Sequence, residues 1–319
     1  MSDYKELSDR VNLMIRRPQI QDFRDNIVAL PTAFERAARR LPVTGLQVAG
    51  WNFFNSTTNG LRPHEFTILC GPTGIGKTTL LANLNLNFIS RGIPTFAAPV
   101  EVGPEDYVQK MASVCSGLGQ IETQQQWSDV RKKYFSLFFS NPNHVLTCYE
   151  TRVHHLQLMC DLLRAYENNG TQIALIDNLN FMMDTSSERD TNKMMDRVVH
   201  DWIQFVKKLP IHVVMVMHPR KTENGRVESE HDVKGSSTSI QEAQNVMLFN
   251  RLKKPDDAPA GSSPASCREI KFVKLRKNGR AVGRRLIFSI DPVSERYDER
   301  ANPDAPSGPP VVRSDAPIF

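Results

Sequence analysis

The sequence predicts an α/β fold with a mainly parallel central sheet and a C-terminal β-hairpin. Three observations predict it. An apolar, β-prone run, Phe66-Thr67-Ile68-Leu69-Cys70, leads into a glycine-rich loop that opens a helix. Apolar runs then alternate with helical periodicities over residues 65–220. Beyond them strands dominate, ending in two runs joined around Asn278-Gly279 and Gly283.

The glycine-rich loop organises the rest. Gly71-Pro72-Thr73-Gly74-Ile75-Gly76-Lys77-Thr78 fits the phosphate-binding P-loop, G-x-x-x-x-G-K-[ST], at every defined position. Its glycines let backbone N–H groups turn inward around phosphates, and the following helix adds the positive end of its dipole. Lys77 is placed to reach the β/γ-phosphates and Thr78 to hold Mg²⁺, with Thr79 lining the nucleotide. The helix after the loop, from Thr79 to Ile89, carries Leu80, Leu84 and Phe88 four apart.

Composition excludes several classes. The chain has 319 residues, with 40% apolar and 24% charged residues, as in a soluble globular protein. Its net charge of +5 permits a nucleic-acid partner without arguing for one. The five cysteines form no C-x-x-C pair, so neither a zinc site nor a disulfide framework is expected. No apolar run approaches the ~18 residues of a membrane span, and the charged N-terminus lacks a signal-peptide core, so a cytoplasmic location is expected.

Ahead of the P-loop, Leu7, Val11, Met14 and Ile15 form a short helical stripe, either a cap on the domain or an arm on a neighbouring subunit. A second amphipathic helix spans residues 27–45, with Leu30 and Phe34 on its apolar face. After the P-loop helix, Pro94 to Val100 reads as a strand ending at Glu101, at the edge where parallel sheets bind ligands. A helix from Pro104 to about Ser116, a polar stretch to Asp129 and a helix over 130–139 follow. A strand over 144–149 and a helix over 153–166 come next. Ile173-Ala174-Leu175-Ile176-Asp177 has the form of a Walker B strand, whose carboxylate serves Mg²⁺. A polar loop over 184–193 leads into an amphipathic helix to Leu209. Ile211 to Met217 is a buried strand ending at His218-Pro219-Arg220-Lys221.

A charged loop then carries Lys221, Arg226 and Lys234, readable as a solvated loop or as one that contacts substrate. Val246 to Phe249 is a further strand before the hairpin. From Asn302 the tail is rich in Pro, Ser and Gly and reads as disordered, with an apolar tip that is either a docking peptide or does nothing. The expected division is a helical arm at 1–44, the nucleotide-binding domain at 45–300 and the tail at 301–319.

These stretches together resemble the RecA-fold hexameric helicases of the DnaB class, in particular the phage primase-helicase and Twinkle branch. Gly60-Leu61-Arg62-Pro63-His64-Glu65 is similar to the family's G-L-R-P-G-E, and Asp177-Asn178-Leu179 to its Walker B D-N-L. His218-Pro219-Arg220-Lys221 is similar to H-P-R-K, Gly235-Ser236 through Val246 to G-S-x-x-x-x-Q-x-A-D-N-V, and Lys274-Leu275-Arg276 with Gly279 to K-x-R-x-x-G. The resemblance covers roughly residues 45–290. It implies a RecA-like P-loop NTPase core that hydrolyses ATP or another nucleoside triphosphate with Mg²⁺. Glu101 would activate the attacking water and His218 would sense the γ-phosphate. Lys274 and Arg276 would reach a neighbouring subunit's nucleotide.

It further implies a hexameric ring that moves on single-stranded DNA in replication, in a phage or its host, with Lys221, Arg226 and Lys234 gripping the strand. With only about 45 residues before the motor, no primase domain is expected. Gln244 stands where many members carry aspartate. A recombination ATPase and an ATP-regulated loading factor are the alternatives.

Overall fold

The computed structural model describes residues 2–16, 28–39, 43–147, 149, 153–178, 188–220, 225–234, 237–252, 255–258 and 262–301. The described helices are α1 (Ser2–Ile15), α2 (Leu30–Ala38), α3 (Asn52–Thr58), α4 (Lys77–Ile89), α5 (Pro104–Ser116), α6 (Gln124–Tyr134), α7 (His155–Asn169), α8 (Glu188–Lys208) and α9 (Ser237–Glu242). The strands are β1 (Glu65–Cys70), β2 (Thr95–Pro99), β3 (Val145–Leu146), β4 (Ile173–Asp177), β5 (His212–Met217), β6 (Asn245–Arg251), β7 (Cys267–Leu275), β8 (Arg285–Ile290) and β9 (Tyr297–Ala301).

They form one sheet in the order β3-β2-β4-β5-β1-β6-β7-β8-β9. Pairing is parallel from β3 to β6 and antiparallel from β6 to β9. The predicted mainly parallel sheet with a C-terminal hairpin is therefore the one found. β1, β2, β4 and β5 are buried at every position because helices cover both faces. That is why they read as continuous apolar runs rather than as alternating ones. On one face, Trp202, Phe205 and Leu163 pack with Phe66 and Met215. On the other, Leu80, Leu84 and Phe88 pack with Leu69, Val216 and Phe272.

The P-loop helix is more central than its apolar stripe suggests. Of the 13 residues of α4, 12 are buried, so it is enclosed on all sides rather than along one face. Leu86 and Ile89 continue its packing against Tyr107 and Met111 of α5. The first stripe caps its own domain: Leu7 and Val11 are buried against the α7–α8 side of the core.

Several elements differ from expectation. α6 begins at Gln124, inside the stretch expected to be irregular. Its start is a capping box, with Thr123 accepting from the Gln126 N–H and the Gln126 side chain accepting from the Thr123 N–H. The T-x-x-Q signal was present, but the polar composition around it hid the helix. Among the described residues, the predicted strand over 144–149 is a strand only at Val145 and Leu146. α8 starts at Glu188, within the predicted loop.

Two short elements, α3 and β9, have no apolar period and arise from each other. The Glu299 carboxylate accepts from the N–H groups of Phe53 (2.6 Å) and Phe54 (3.1 Å), which are among the orphan donors at the start of α3. The tail beyond Ala301 lies outside the described residues, as do Cys148 and Lys221.

Candidate nucleotide site

β1 delivers the P-loop to the C-terminal edge of the sheet. Gly76 has φ +100°, and a side chain there would meet the Tyr297 hydroxyl at 2.5 Å, so only glycine lets the loop turn into α4. The Lys77 ammonium donates to the carbonyl oxygens of Gly71 (2.9 Å) and Pro72 (2.7 Å). Burial lowers its pKa, opposed by the charges of Asp177 and Glu101.

β4 sits two strands from β1, and its last residue, Asp177, reaches back to the loop. The Thr78 hydroxyl donates to Asp177 Oδ2 across 2.5 Å. Asp177 is 1% exposed and its Oδ1 is buried without a hydrogen-bond partner. Burial pushes its carboxyl up to about 6. A hydroxyl beside a carboxylate with one unanswered oxygen is the oxygen-donor set that Mg²⁺ takes. The pair Thr78 and Asp177 therefore fits the metal expected from the sequence. Bound there, Mg²⁺ would neutralise charge that develops on phosphate oxygens.

Glu101 follows β2, where its N–H donates to Asp177 O (3.0 Å). His218 follows β5, with Nε2 3.8 Å from Glu101 Oε2. Burial, with Lys77 close by, holds His218 below the usual imidazole range. The structure thus brings together Lys77, Thr78, Asp177, Glu101 and His218, five groups from four strand ends that the sequence singled out.

Lys274 and Arg276 are elsewhere. β7 runs antiparallel to β6, with Leu275 opposite Asn245, which places the pair at the N-terminal edge of the parallel strands. Lys274 Nζ donates to Ile240 O (3.1 Å), and also to Gln241 O. Arg276 Nη2 donates to Gln241 O (3.2 Å). Both cations thus cap the carbonyl end of α9. Gln244, which replaces the aspartate of the related motif, pairs with β1: its Oε1 accepts from Phe66 N (2.9 Å).

Of the three residues expected to grip a strand, Arg226 is bound within the fold. It forms a 2.7 Å ion pair with Glu269, which is 3% exposed, and donates to Arg251 O and Glu228. Its charge is answered inside the chain, because its loop lies back on β6 and β7. Lys234 N donates to His218 O (3.2 Å), which ties that residue to the site.

One feature of the site left no signal in the spacing. A pocket of about 270 Å³ adjoins the P-loop, lined by Gly74, Gly76, Thr79, Arg268, Pro292 and Tyr297. Arg268 Nε donates to Ile75 O (2.9 Å) and Tyr297 Oη to Gly76 O (3.1 Å), so the C-terminal strands brace the loop.

Fold and site together define a P-loop nucleotide hydrolase with a RecA-like core. Residues 54–224, more than half of the chain, match the model of a family described as an AAA domain, and the chain belongs to that family. A DNA helicase/primase of Enterobacteria phage T3 is 23% identical over 256 residues, covering 75% of this chain and 44% of the relative. The chain therefore spans less than half the length of that protein.

Among solved structures, a DnaB-like replicative helicase, described with its interactions with primase, superposes with TM-score 0.68 at 15% identity. That match covers 93% of this chain and 74% of the other. A second solved structure, described as an ATPase domain, gives 0.67 at 14% identity, covering 90% of this chain and all of that one. The fold is thus the one that the DnaB-class motifs implied. No helix among the described residues is long and apolar enough to cross a membrane.

Proposed function

We propose that the chain is the motor of a ring-forming helicase or translocase on single-stranded DNA, driven by ATP or another nucleoside triphosphate with Mg²⁺. One observation carries this reading. The phosphate-binding and water-activating groups lie on the C-terminal edge of the sheet, while Lys274 and Arg276 lie on the opposite edge. A complete set of charges around one triphosphate then needs two copies of the chain. Lys77 would stabilise the growing negative charge from within the subunit and Arg276 from the next one. A finger of this kind adds ~10³–10⁵ in rate in related systems. Glu101 would take the proton of the attacking water, and the nucleobase would lie in the pocket beside Tyr297.

Two further features support assembly and strand contact. None of the residues of α2 is buried, with Phe34 68% exposed, so nothing among the described residues covers its apolar face. An apolar groove of about 480 Å³ lies between α5 and α6, lined by Val108, Trp127, Val130, Phe135 and Phe139. We assign α2 to that groove on a neighbouring copy. The segments after β4 and β5, adjacent strands, leave the same edge of the sheet side by side. Lys221 and Lys234 would meet phosphates there, giving binding that weakens steeply with salt. The location would be cytoplasmic, with the tail free to dock replication proteins.

The test is the ATPase rate of the purified protein with and without single-stranded DNA, together with its mass in solution with a nonhydrolysable ATP analogue. Strong stimulation with a ring-sized mass, followed by strand separation, is the expected result. Absence of stimulation from a monomer would sink the motor reading. Strand exchange without unwinding would favour a recombination ATPase. A biological role that survives Glu101→Gln would favour a loading factor.

A further inference from the structure

Asn178 follows Asp177 at the end of β4 and is fully buried. Its neighbours in the sheet are β2, with Pro99 beside Asp177, and β5, with Met215 beside Ile176. Glu101 and His218 continue those two strands, so the Asn178 side chain stands between them. Its Nδ2 donates to Glu101 Oε2, and the same nitrogen lies 2.9 Å from His218 Nε2.

A side-chain amide nitrogen carries two hydrogens and can serve both partners at once. This arrangement requires His218 Nε2 to be the acceptor, with the ring hydrogen on Nδ1. Aspartate here would lack both donors and set a second carboxylate against Glu101. Serine would offer one donor where two are used.

We propose that Asn178 is a positioning residue that couples the Glu101 carboxylate to His218, so that the aim of the water-activating group follows whatever His218 contacts. The inference rests on the nucleotide-hydrolase reading of this site. A terminal phosphate has only acceptor oxygens, so His218 can bond it through Nε2 only as a donor. A donor on Nε2 cannot face Asn178 Nδ2, which is itself a donor. Engagement of a phosphate by Nε2 therefore breaks the Asn178–His218 bond and changes the hold on Glu101 Oε2, while Oε1 stays outside that bond. Loss of the amide should cost turnover and spare nucleotide binding, since Lys77 and Thr78 lie outside this bridge.

The experiment uses the full chain carrying Asn178→Ala, the near-isosteric Asn178→Asp, His218→Ala, or Asn178→Ala with His218→Ala. Glu101→Gln serves as the reference. DNA-stimulated kcat, the dissociation constant of a fluorescent ATP analogue, and the melting temperature are measured for each. The expected result is a ~10²-fold loss of kcat in both Asn178 variants, in the range of a misplaced general base. Analogue affinity should stay within about threefold of wild type, with each variant still folded at the assay temperature. The double variant should be no slower than the slower single one, as for two residues acting as a unit.

Turnover within about threefold of wild type in either Asn178 variant, with Glu101→Gln inactive, overturns the coupling and leaves the hydrolase reading standing. So do effects that multiply in the double variant, or analogue affinity that falls along with kcat. Wild-type hydrolysis by Glu101→Gln would instead strike the hydrolase reading itself.

Discussion

The backbone N–H of Arg276 donates to the carbonyl oxygen of Gln244 across 2.9 Å. The Gln244 N–H donates in turn to Phe66 O (3.1 Å), at the start of the strand whose other end carries the P-loop. From Phe66 to Gly71 the chain advances about 17 Å at ~3.3 Å per residue. The Arg276 guanidinium is also turned toward α9. Within one chain, then, Arg276 and Lys77 stand at opposite edges of the sheet.

That separation predicts complementation. Lys77→Ala should abolish nucleotide binding, and Arg276→Ala should lose hydrolysis while keeping binding. Mixing the two variants should restore part of the ATPase rate, because some interfaces then pair an intact P-loop with an intact finger. A mixed sample as inactive as its components would remove the shared-site reading.

Phe34 should govern assembly. Phe34→Glu places a charge on the exposed apolar face of α2, where burial against a neighbour would then be strongly opposed. Light scattering should show loss of the ring-sized species, with the monomer's melting temperature unaltered. An unchanged mass would free α2 from this role.

His212 should make the fold acid-sensitive. It is completely buried at the base of β5, its Nδ1 donating to Arg62 O (2.7 Å) and its Nε2 2.9 Å from Thr67 Oγ1. Burial pushes its pKa down to about 4. The unfolded chain, titrating near 6.5, binds the proton that the folded chain refuses. Stability contributed by the neutral ring is therefore present above pH ~6.5 and is lost as pH falls toward 4. The loss should be roughly 3 kcal/mol across that window. His212→Asn should flatten this part of the stability–pH curve, whatever it does to the plateau, and an unchanged slope would contradict the assignment.

His64 occupies the place of a glycine in the related motif, at φ +61°. Its side chain is exposed while its N–H donates to Ile211 O (2.8 Å). A non-glycine residue in the left-handed region is strained by ~1 kcal/mol. His64→Gly should thus raise stability by about 0.5 kcal/mol, read from the urea midpoint, after glycine's extra freedom in the unfolded chain is counted. A lower midpoint would show that the imidazole makes a compensating contact.

Arg226 should matter for stability and little for DNA. Arg226→Ala leaves Glu269 with Arg285 as its remaining ion-pair partner, at 3.3 Å, and should cost about 2 kcal/mol. The salt dependence of DNA binding should keep its slope, whereas loss of one phosphate contact would reduce it by ~1. A reduced slope would return Arg226 to the strand-contacting set.

Much of this protein is determined by the sequence itself. The P-loop motif needs particular residue types at fixed spacing, because backbone amides and one lysine must wrap a phosphate. It therefore identifies itself, and the strand and helix around it follow from their periods. The same holds for Glu101, Asp177 and His218, each at the end of a continuous apolar run, since strands buried on both faces must be apolar throughout. The parallel sheet and its terminal hairpin were legible for that reason.

The tertiary structure decided what depends on distant partners. Only pairing across the sheet sets Asn178 between Glu101 and His218, and only the antiparallel run of β7 carries Arg276 away from Lys77. Glu299 of β9 caps the start of α3, and Arg226 turns inward to meet a buried carboxylate. Tyr297 reaches the P-loop across more than two hundred residues. Local periodicity carries the first kind of information because neighbours in sequence share one element. Long-range charge pairing and edge placement follow from chain crossovers, which no local pattern encodes.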